Sequence, residues 1–528
     1  MGKNNILRST AIVGAGTGLS RILGFVREAL MAVFFGTSLA KSAFDVAFRI
    51  PNLFRRLFGE GALSAAFVPV FSETIEKEGV ESANRLAAKI MIMLGTTLAV
   101  IVLGGILLAT VLIRFVSLGE RLAAVLPLLR IMLPYMFFIC LVALCMGILN
   151  SFHHFAVPAI TPVLFNGGWA VTLIFICPLF GDTPGERIYG VAWGILGAGA
   201  IQLLVQVPAL LHFGFRPKVS FAWKDEKVDK VLLLMGPAAL GMGVMQVNVV
   251  VDSILALWVG TWAPAALTYA ERLIYLPLGS IATAFGTVLL PTFSHQVARE
   301  RKDEIRDTLG VAVRSLMLVM IPATVGLLVL AEPIVRLAFV WKGGEFGSES
   351  TVLTARAVCG YAPGLVAFSL YRVLVPVFYA LQDTRTPVQV GVRVVGLNFL
   401  LNIAFILTWP SGYKHAGLAF ATVLASVVNC VALGRILHRR VGSLGWNRIA
   451  KSMARIFTAS LVMGLVALMS HNLLAGSVIS ARLSPKFYQL VTVGGGITVG
   501  LAVYFVLAVV LCREEVKELA SHMRNSAL

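Results

Sequence analysis

The sequence is short of charge, and shortest of acid. Of its 528 residues only 26 are Asp or Glu and 44 are Lys or Arg, so charged residues reach 13% while hydrophobic residues reach 58%. With a mean hydropathy of +0.87, such a chain has too little polar surface to clothe a soluble globule, and a polytopic membrane protein follows. Cysteine is sparse: Cys140, Cys145, Cys177, Cys359, Cys430 and Cys512 show no CxxC spacing, which argues against a metal site or a disulfide framework. There is no GxxxxGK[ST] phosphate loop, no HExxH and no GxSxG, so nucleotide hydrolysis and the common hydrolase chemistries are not expected, and His153-His154 reads as a solvated pair. The net charge of +18 would suggest nucleic acid in a soluble domain; here it has to be read by position relative to the membrane, and no nucleic-acid partner is expected.

What is present is a series of apolar runs of about 20 residues, the length of a spanning helix and too long for ~10-residue barrel strands. Fourteen are legible, at about 10–35, 43–71, 87–113, 122–149, 158–179, 188–214, 231–258, 265–292, 310–334, 351–380, 388–409, 415–436, 449–470 and 488–511. The first contains Arg21, Arg27 and Glu28 and is followed by no small-residue cleavage site, so it reads as a retained helix. The N-terminus, the even-numbered loops and the C-tail together hold 25 basic residues, against 9 on the other side. Both termini are therefore expected in the cytoplasm.

With Lys89, Arg314, Arg435, Lys451 and Arg455, near span ends, counted among the adjoining loops, ten basic residues remain within spans and all are Arg: Arg21, Arg27, Arg49, Arg55, Arg56, Arg130, Arg272, Arg356, Arg372 and Arg393. An Arg near the bilayer centre costs at least ~2.5 kcal/mol, so such residues line a wet cavity or pair inside the protein. Arg130, Arg356 and Arg393 read as residues that snorkel from helix ends. In-span acids are fewer, namely Glu28, Asp45, Glu60, Asp252 and Glu271, with Glu332 near an end, so a cationic cavity is expected, and the guanidinium fork matches phosphate bidentately. On a helical wheel Arg21 and Glu28 share a face, as do Arg49 and Arg56, while Arg27 and Arg55 point elsewhere. Gly14 and Gly18 have the spacing of a close helix contact.

The chain also repeats. Val68-Pro69-Val70-Phe71-Ser72 recurs as Leu290-Pro291-Thr292-Phe293-Ser294, Ala47-Phe48-Arg49 as Ala270-Glu271-Arg272, and Thr161-Pro162-Val163 as Thr386-Pro387-Val388, at offsets of 222 to 225. Six spans separate the copies, so the halves have the same orientation. The expected organisation is an N-terminal lobe over 1–219, a C-terminal lobe over 220–445, and two helices with a cytoplasmic tail over 446–528. Substrate in transporters of this build lies between the lobes near the midplane.

The strings Ser20-Arg21-Ile22-Leu23-Gly24-Phe25-Val26-Arg27-Glu28, Pro51-Asn52-Leu53-Phe54-Arg55-Arg56-Leu57-Phe58-Gly59-Glu60-Gly61-Ala62, Tyr269-Ala270-Glu271-Arg272-Leu273 and Gln382-Asp383-Thr384-Arg385-Thr386-Pro387-Val388 closely resemble the MurJ (MviN) family of lipid II flippases. The resemblance runs from the first span to the last. It implies the multidrug/oligosaccharidyl-lipid/polysaccharide exporter fold: an all-α membrane protein of about 14 transmembrane helices, with two pseudo-symmetric six-helix lobes around a central cavity and two C-terminal helices grooved for a lipid tail. It further implies a transporter and not an enzyme, working in peptidoglycan biosynthesis in the bacterial inner membrane. Its partners would be lipid II, the undecaprenyl-pyrophosphate-linked precursor, and membrane lipids. The family's essential arginines fall on Arg21, Arg27, Arg55 and Arg272, with Glu60 as acidic partner; Arg56, Glu28 and Asn52 complete the candidate substrate-binding set. Two departures stand out: Ser42 occupies the place of an acid usual in the family, with Asp45 one turn on, and Tyr275 occupies the place of an acid found in some members.

Two other functions fit less well. A drug or polysaccharide-lipid exporter of the same superfamily does not require these Arg strings. An intramembrane enzyme acting on polyprenyl phosphate wants acids or His clustered near the membrane surface, while the in-membrane charge of this chain is dominated by arginines, which bind phosphate but do not exchange protons. No organic cofactor is expected. Without a nucleotide motif, the driving force would be Na⁺ or the membrane potential, worth ~2.3 kcal/mol per charge per 100 mV. Asp252, Asn398, Asn402 and Thr422 are the candidate oxygen ligands of a monovalent cation.

Overall fold

The computed structural model describes residues 3–59, 62–215, 225–279, 283–442, 445–477 and 484–517. Every regular element among them is helical, so this is an all-α membrane protein. Contacts divide the chain into two compact units, Met1–Ala265 and Ala266–Leu528. The 219/220 boundary expected from sequence lies outside the described residues.

The first unit begins with α1 (Lys3–Phe35) and α2 (Leu39–Phe54), continues through a π-turn (Arg55–Gly59) into α3 (Ala62–Glu78), and is followed by α4 (Val80–Phe115) and α5 (Glu120–Ser151). Then come α6 (Ala156–Val171), extended by a π-turn to Ile176, α7 (Pro184–His212) and α8 (Glu226–Val259). Helix α9 (Ala263–Pro277) opens at the boundary. The second unit holds α10 (Thr283–Ala298), α11 (Lys302–Val329), α12 (Ala331–Phe339), α13 (Ser348–Tyr361), α14 (Gly364–Ala380), α15 (Arg385–Thr408), α16 (Lys414–Val441), α17 (Trp446–Ala475) and α18 (Pro485–Leu511).

Nine helices of the described residues are long and apolar enough to cross a membrane, or ten if α13 and α14, bent by 45°, form one span. Helix-breaking residues mark the interruption after α2. Pro51 lies inside α2, and the π-turn after it ends on Gly59; π-turns of this kind concentrate at functional sites. Elsewhere the local chemistry is regular: Thr183 and Glu186 form a reciprocal capping box at the start of α7, with Pro184 in its first turn.

Burial sorts the spans. The apolar window of α5 is 72% buried and that of α4 only 17%, so α5 is the central post of the first unit and α4 a lipid-facing wall. Small residues set the closest approaches. A Cβ at Gly16 would stand 2.8 Å from the Ala159 carbonyl oxygen, which fixes α1 against α6. A Cβ at Gly14 or Gly18, the pair expected to make that contact, would meet nothing within 4 Å among the described residues; their spacing suits a close contact, but α6 lies against another face of α1. In the second unit Gly496 and Gly500 of α18 let its backbone close on Ala467 of α17, and Gly464 of α17 meets Val325 of α11. The Lys486 ammonium joins α18 to the end of α12, donating to the Leu337 and Val340 carbonyls at 2.5 and 2.8 Å.

Candidate functional site

The candidate site of the first unit is built around Arg27. Helix α1 carries it toward α6, where its Nη1 donates to Asn166 Oδ1 at 2.9 Å and its guanidinium lies 4.3 Å from the centre of the Trp169 ring. Its Nη2 stands 2.6 Å from Glu28 Oε1, and both side chains are buried. Asn166 is itself fixed, donating to the Ser20 carbonyl and hydroxyl and to the Pro162 carbonyl, each at 3.1 Å. The guanidinium is thereby held on three sides: by a carboxylate, an amide and an aromatic face. Phe44 and Phe48 of α2 pack edge-on against Trp169, so the wall behind Arg27 is aromatic.

The π-turn supplies the next two arginines. Arg55 Nε donates to Asn52 Oδ1 at 2.8 Å, and Arg56 Nη1 to Gln246 Oε1 of α8 at 3.3 Å. Arg27 and Arg55 both act electrostatically on the fully buried hydroxyl of Tyr135 in α5. The structure thus gathers Arg27, Glu28, Asn52, Arg55 and Arg56 in one unit. Arg21 lies on the exposed side of α1, and Arg272 is exposed in the second unit, where neighbouring Glu271 accepts from the Tyr361 hydroxyl at 3.4 Å. Glu60 lies outside the described residues.

Glu28 shares a wheel face with Arg21, and its ion pair is with Arg27, its neighbour in sequence, on the side of α1 that α6 covers. One expectation is corrected: the buried basic residues are not confined to the in-span arginines. Lys41, which the hydropathy pattern leaves in a loop, lies inside α2 and is 1% exposed, its Nζ 2.6 Å from both carboxylate oxygens of Asp45; Arg314 is likewise buried in α11. Arg356 Nη1 donates to the Gly412 carbonyl at 2.9 Å and its guanidinium stacks over Tyr413.

Asn166, Trp169, Tyr135 and Lys41 escaped sequence reasoning. The available signal was a polar atom inside an apolar run, which in a membrane is costly unless it has a partner.

Of the candidate cation ligands, three come together in the second unit. Asn402 Nδ2 donates to Asn398 Oδ1 at 3.0 Å, Asn398 Nδ2 to Thr422 Oγ1 at 3.4 Å, and the Thr422 hydroxyl to the Leu418 carbonyl at 3.2 Å. Asp252 belongs to the first unit, where Asn248 Nδ2 donates to it at 3.2 Å. No group of three or more His, Cys, Asp or Glu placed to hold a metal occurs among the described residues.

The chain is similar along nearly its whole length to proteins of one family. The family model described as lipid II flippase MurJ matches residues 31–486. A probable lipid II flippase MurJ of Rhizobium tropici is 33% identical over 516 residues, covering 96% of this chain and 94% of that protein. The lipid II flippase MurJ of Burkholderia cenocepacia is 33% identical over 456 residues, covering 84% and 86%. Among solved structures, a lipid II flippase MurJ in an inward closed conformation superposes with a TM-score of 0.76 at 26% identity, covering 96% of this chain and 100% of that one. An inward-facing multidrug transporter of the MATE family, covering 80% of this chain and 95% of that one, matches at 0.66 and 16% identity, a likeness of fold alone. A family match over more than four-fifths of the chain, with most of the arginine-bearing strings inside it, leaves one assignment: the chain belongs to the lipid II flippase MurJ family.

Proposed function

We propose that the protein moves lipid II from the cytoplasmic to the periplasmic leaflet of the bacterial inner membrane by alternating access, as a transporter without catalytic chemistry. The observation that carries this reading is Arg27: a buried guanidinium oriented by Glu28, Asn166 and Trp169, in a chain of this family. Arg21, Arg27, Arg55 and Arg272 contact the pyrophosphate and adjoining sugar, with Arg56, Asn52, Glu28 and Glu60 as supporting polar groups. Arginine suits this task because its fork binds two phosphate oxygens at once.

The finer architecture we infer is fourteen spans, as two six-helix lobes over 1–219 and 220–445 and two helices over 446–528 that carry the prenyl tail. Both termini are cytoplasmic in this reading. Helix order and length support it. The 33 residues of α1 are answered by the 34 of α8, and the broken pair α2–α3, of 16 and 17 residues, by α9–α10, of 15 and 16. The spans read from sequence that fall outside the ten apolar ones are the first two of each half. Transport draws on Na⁺ or the membrane potential, with Asp252, Asn398, Asn402 and Thr422 as the oxygen donors to be tested.

Leaflet-resolved labelling of lipid-linked precursor in cells depleted of the protein tests the function. Precursor should accumulate in the cytoplasmic leaflet; undiminished export in cells with no second flippase overturns the proposal.

A further inference from the structure

The second unit contains a cavity of about 1050 Å³ that the arginine site does not use. Its wall is drawn from the ends of α11 and α17 farthest from the basic loops at Arg299–Arg306 and Arg435–Arg448, together with α12, α13, α16 and the start of α18. It is too large for a few ordered waters, at ~30 Å³ each, and lies at the upper end of ligand-sized sites.

The lining has two characters. Leu328, Val329, Val352, Phe420, Leu468 and Val493 make an apolar chamber, while Arg336, Arg356 and Glu332 are its charged groups. Glu332 is engaged by Arg336, whose Nη2 is 2.8 Å from Oε1. Arg356 is held over the Tyr413 ring with Nη1 on the Gly412 carbonyl, so its planar fork is preorganised. Two further lining residues, His471 and Gln489, each keep a buried polar atom with no hydrogen-bond partner among the described residues.

We propose that this cavity binds an anionic glycerophospholipid, with the phosphodiester at Arg356 and Arg336 and acyl chain in the apolar chamber. Two guanidiniums against one carboxylate leave a single net positive charge, which one phosphodiester balances; a pyrophosphate carries more negative charge than the wall offsets. The site shares no residue with the proposed lipid II headgroup set.

Cys359 gives a direct readout, since it lines the cavity and is the exposed cysteine, the other five being buried. In the purified full-length protein, maleimide labelling of Cys359 should slow at least tenfold with phosphatidylglycerol in mixed micelles. Phosphatidylcholine and inorganic phosphate should leave it unchanged. Arg356→Gln should remove the protection, and Glu332→Gln should extend it to lower lipid concentration. The Glu332 variant gains protection, so its result cannot be mistaken for misfolding. Equal protection by phosphatidylcholine, protection by undecaprenyl phosphate alone, or protection indifferent to both substitutions overturns the proposal. The assay reads lipid binding without transport, so it stands or falls apart from the flippase reading.

Discussion

Lys41 Nζ stands 2.6 Å from both carboxylate oxygens of Asp45, one turn along α2, and the lysine is buried to 1% exposure. Asp45 is in turn within electrostatic reach of Glu28 and Arg49, so α1 and α2 carry two buried ion pairs close to one another. Removing one member of a buried pair leaves an uncompensated charge and costs about 3–5 kcal/mol, whereas replacing both can be nearly neutral. Lys41→Ala should therefore lower the thermal midpoint of the purified protein sharply, and Lys41→Leu with Asp45→Leu should recover most of it. If the double variant is as unstable as the single one, the pair is not the source of the effect.

Arg27 makes three different contacts at once, and a lysine ammonium has neither the plane nor the fork to reproduce them. Charge-assisted hydrogen bonds contribute ~1.5–3 kcal/mol each, so Arg27→Ala should reduce flipping by about ten- to a hundredfold or more and Arg27→Lys should rescue little. Complementation of a depleted strain, with protein levels checked by immunoblot, measures this. Wild-type growth with the lysine variant would contradict recognition by the guanidinium fork.

Asn166 should behave as a positioning residue, because it reaches Arg27 with its oxygen and α1 with its nitrogen. Asn166→Leu removes both functions, while Asn166→Asp keeps the oxygen and strengthens the pairing with Arg27. The expected order of transport activity is wild type, then Asp, then Leu, with lipid II affinity falling further than folding stability.

Outside the membrane, Asp383 accepts from the Thr386 backbone and hydroxyl and lies 2.5 Å from Arg440 Nη1. The Thr386 hydrogen bonds first, and then Arg440, hold its carboxyl down from 3.8 to about 2. A depressed carboxyl contributes stability above its unfolded pKa and loses it as pH falls through the folded value. The link between the start of α15 and the end of α16 should thus be intact at about pH 5 and lost between about pH 4 and 2. Asp383→Ala should cost about 1–2 kcal/mol at neutral pH, the size of a lost helix cap, and flatten that acid-side slope in a stability titration.

Much of the protein was legible in the chain. Scarcity of charge and ~20-residue apolar runs dictate spanning helices, because an unsatisfied backbone cannot cross lipid. Arginines inside those runs need partners within the protein, because lipid does not tolerate them, and Arg27 has them in Glu28, Asn166 and Trp169. The breaks near Pro51 and Gly59 follow from the residues themselves. What sequence could not decide was which neighbour covers which face. A wheel puts Arg21 and Glu28 on one face but does not show that α6 covers the side on which Arg27 is the partner of Glu28; spacing favours Gly14 and Gly18, yet Ala159 lies against Gly16. Hydropathy leaves Lys41 in a loop, since a lone lysine reads as solvated until Asp45 is seen to neutralise it. Propensity and period are properties of one helix, whereas burial and charge pairing belong to two, and only the tertiary structure supplies the second.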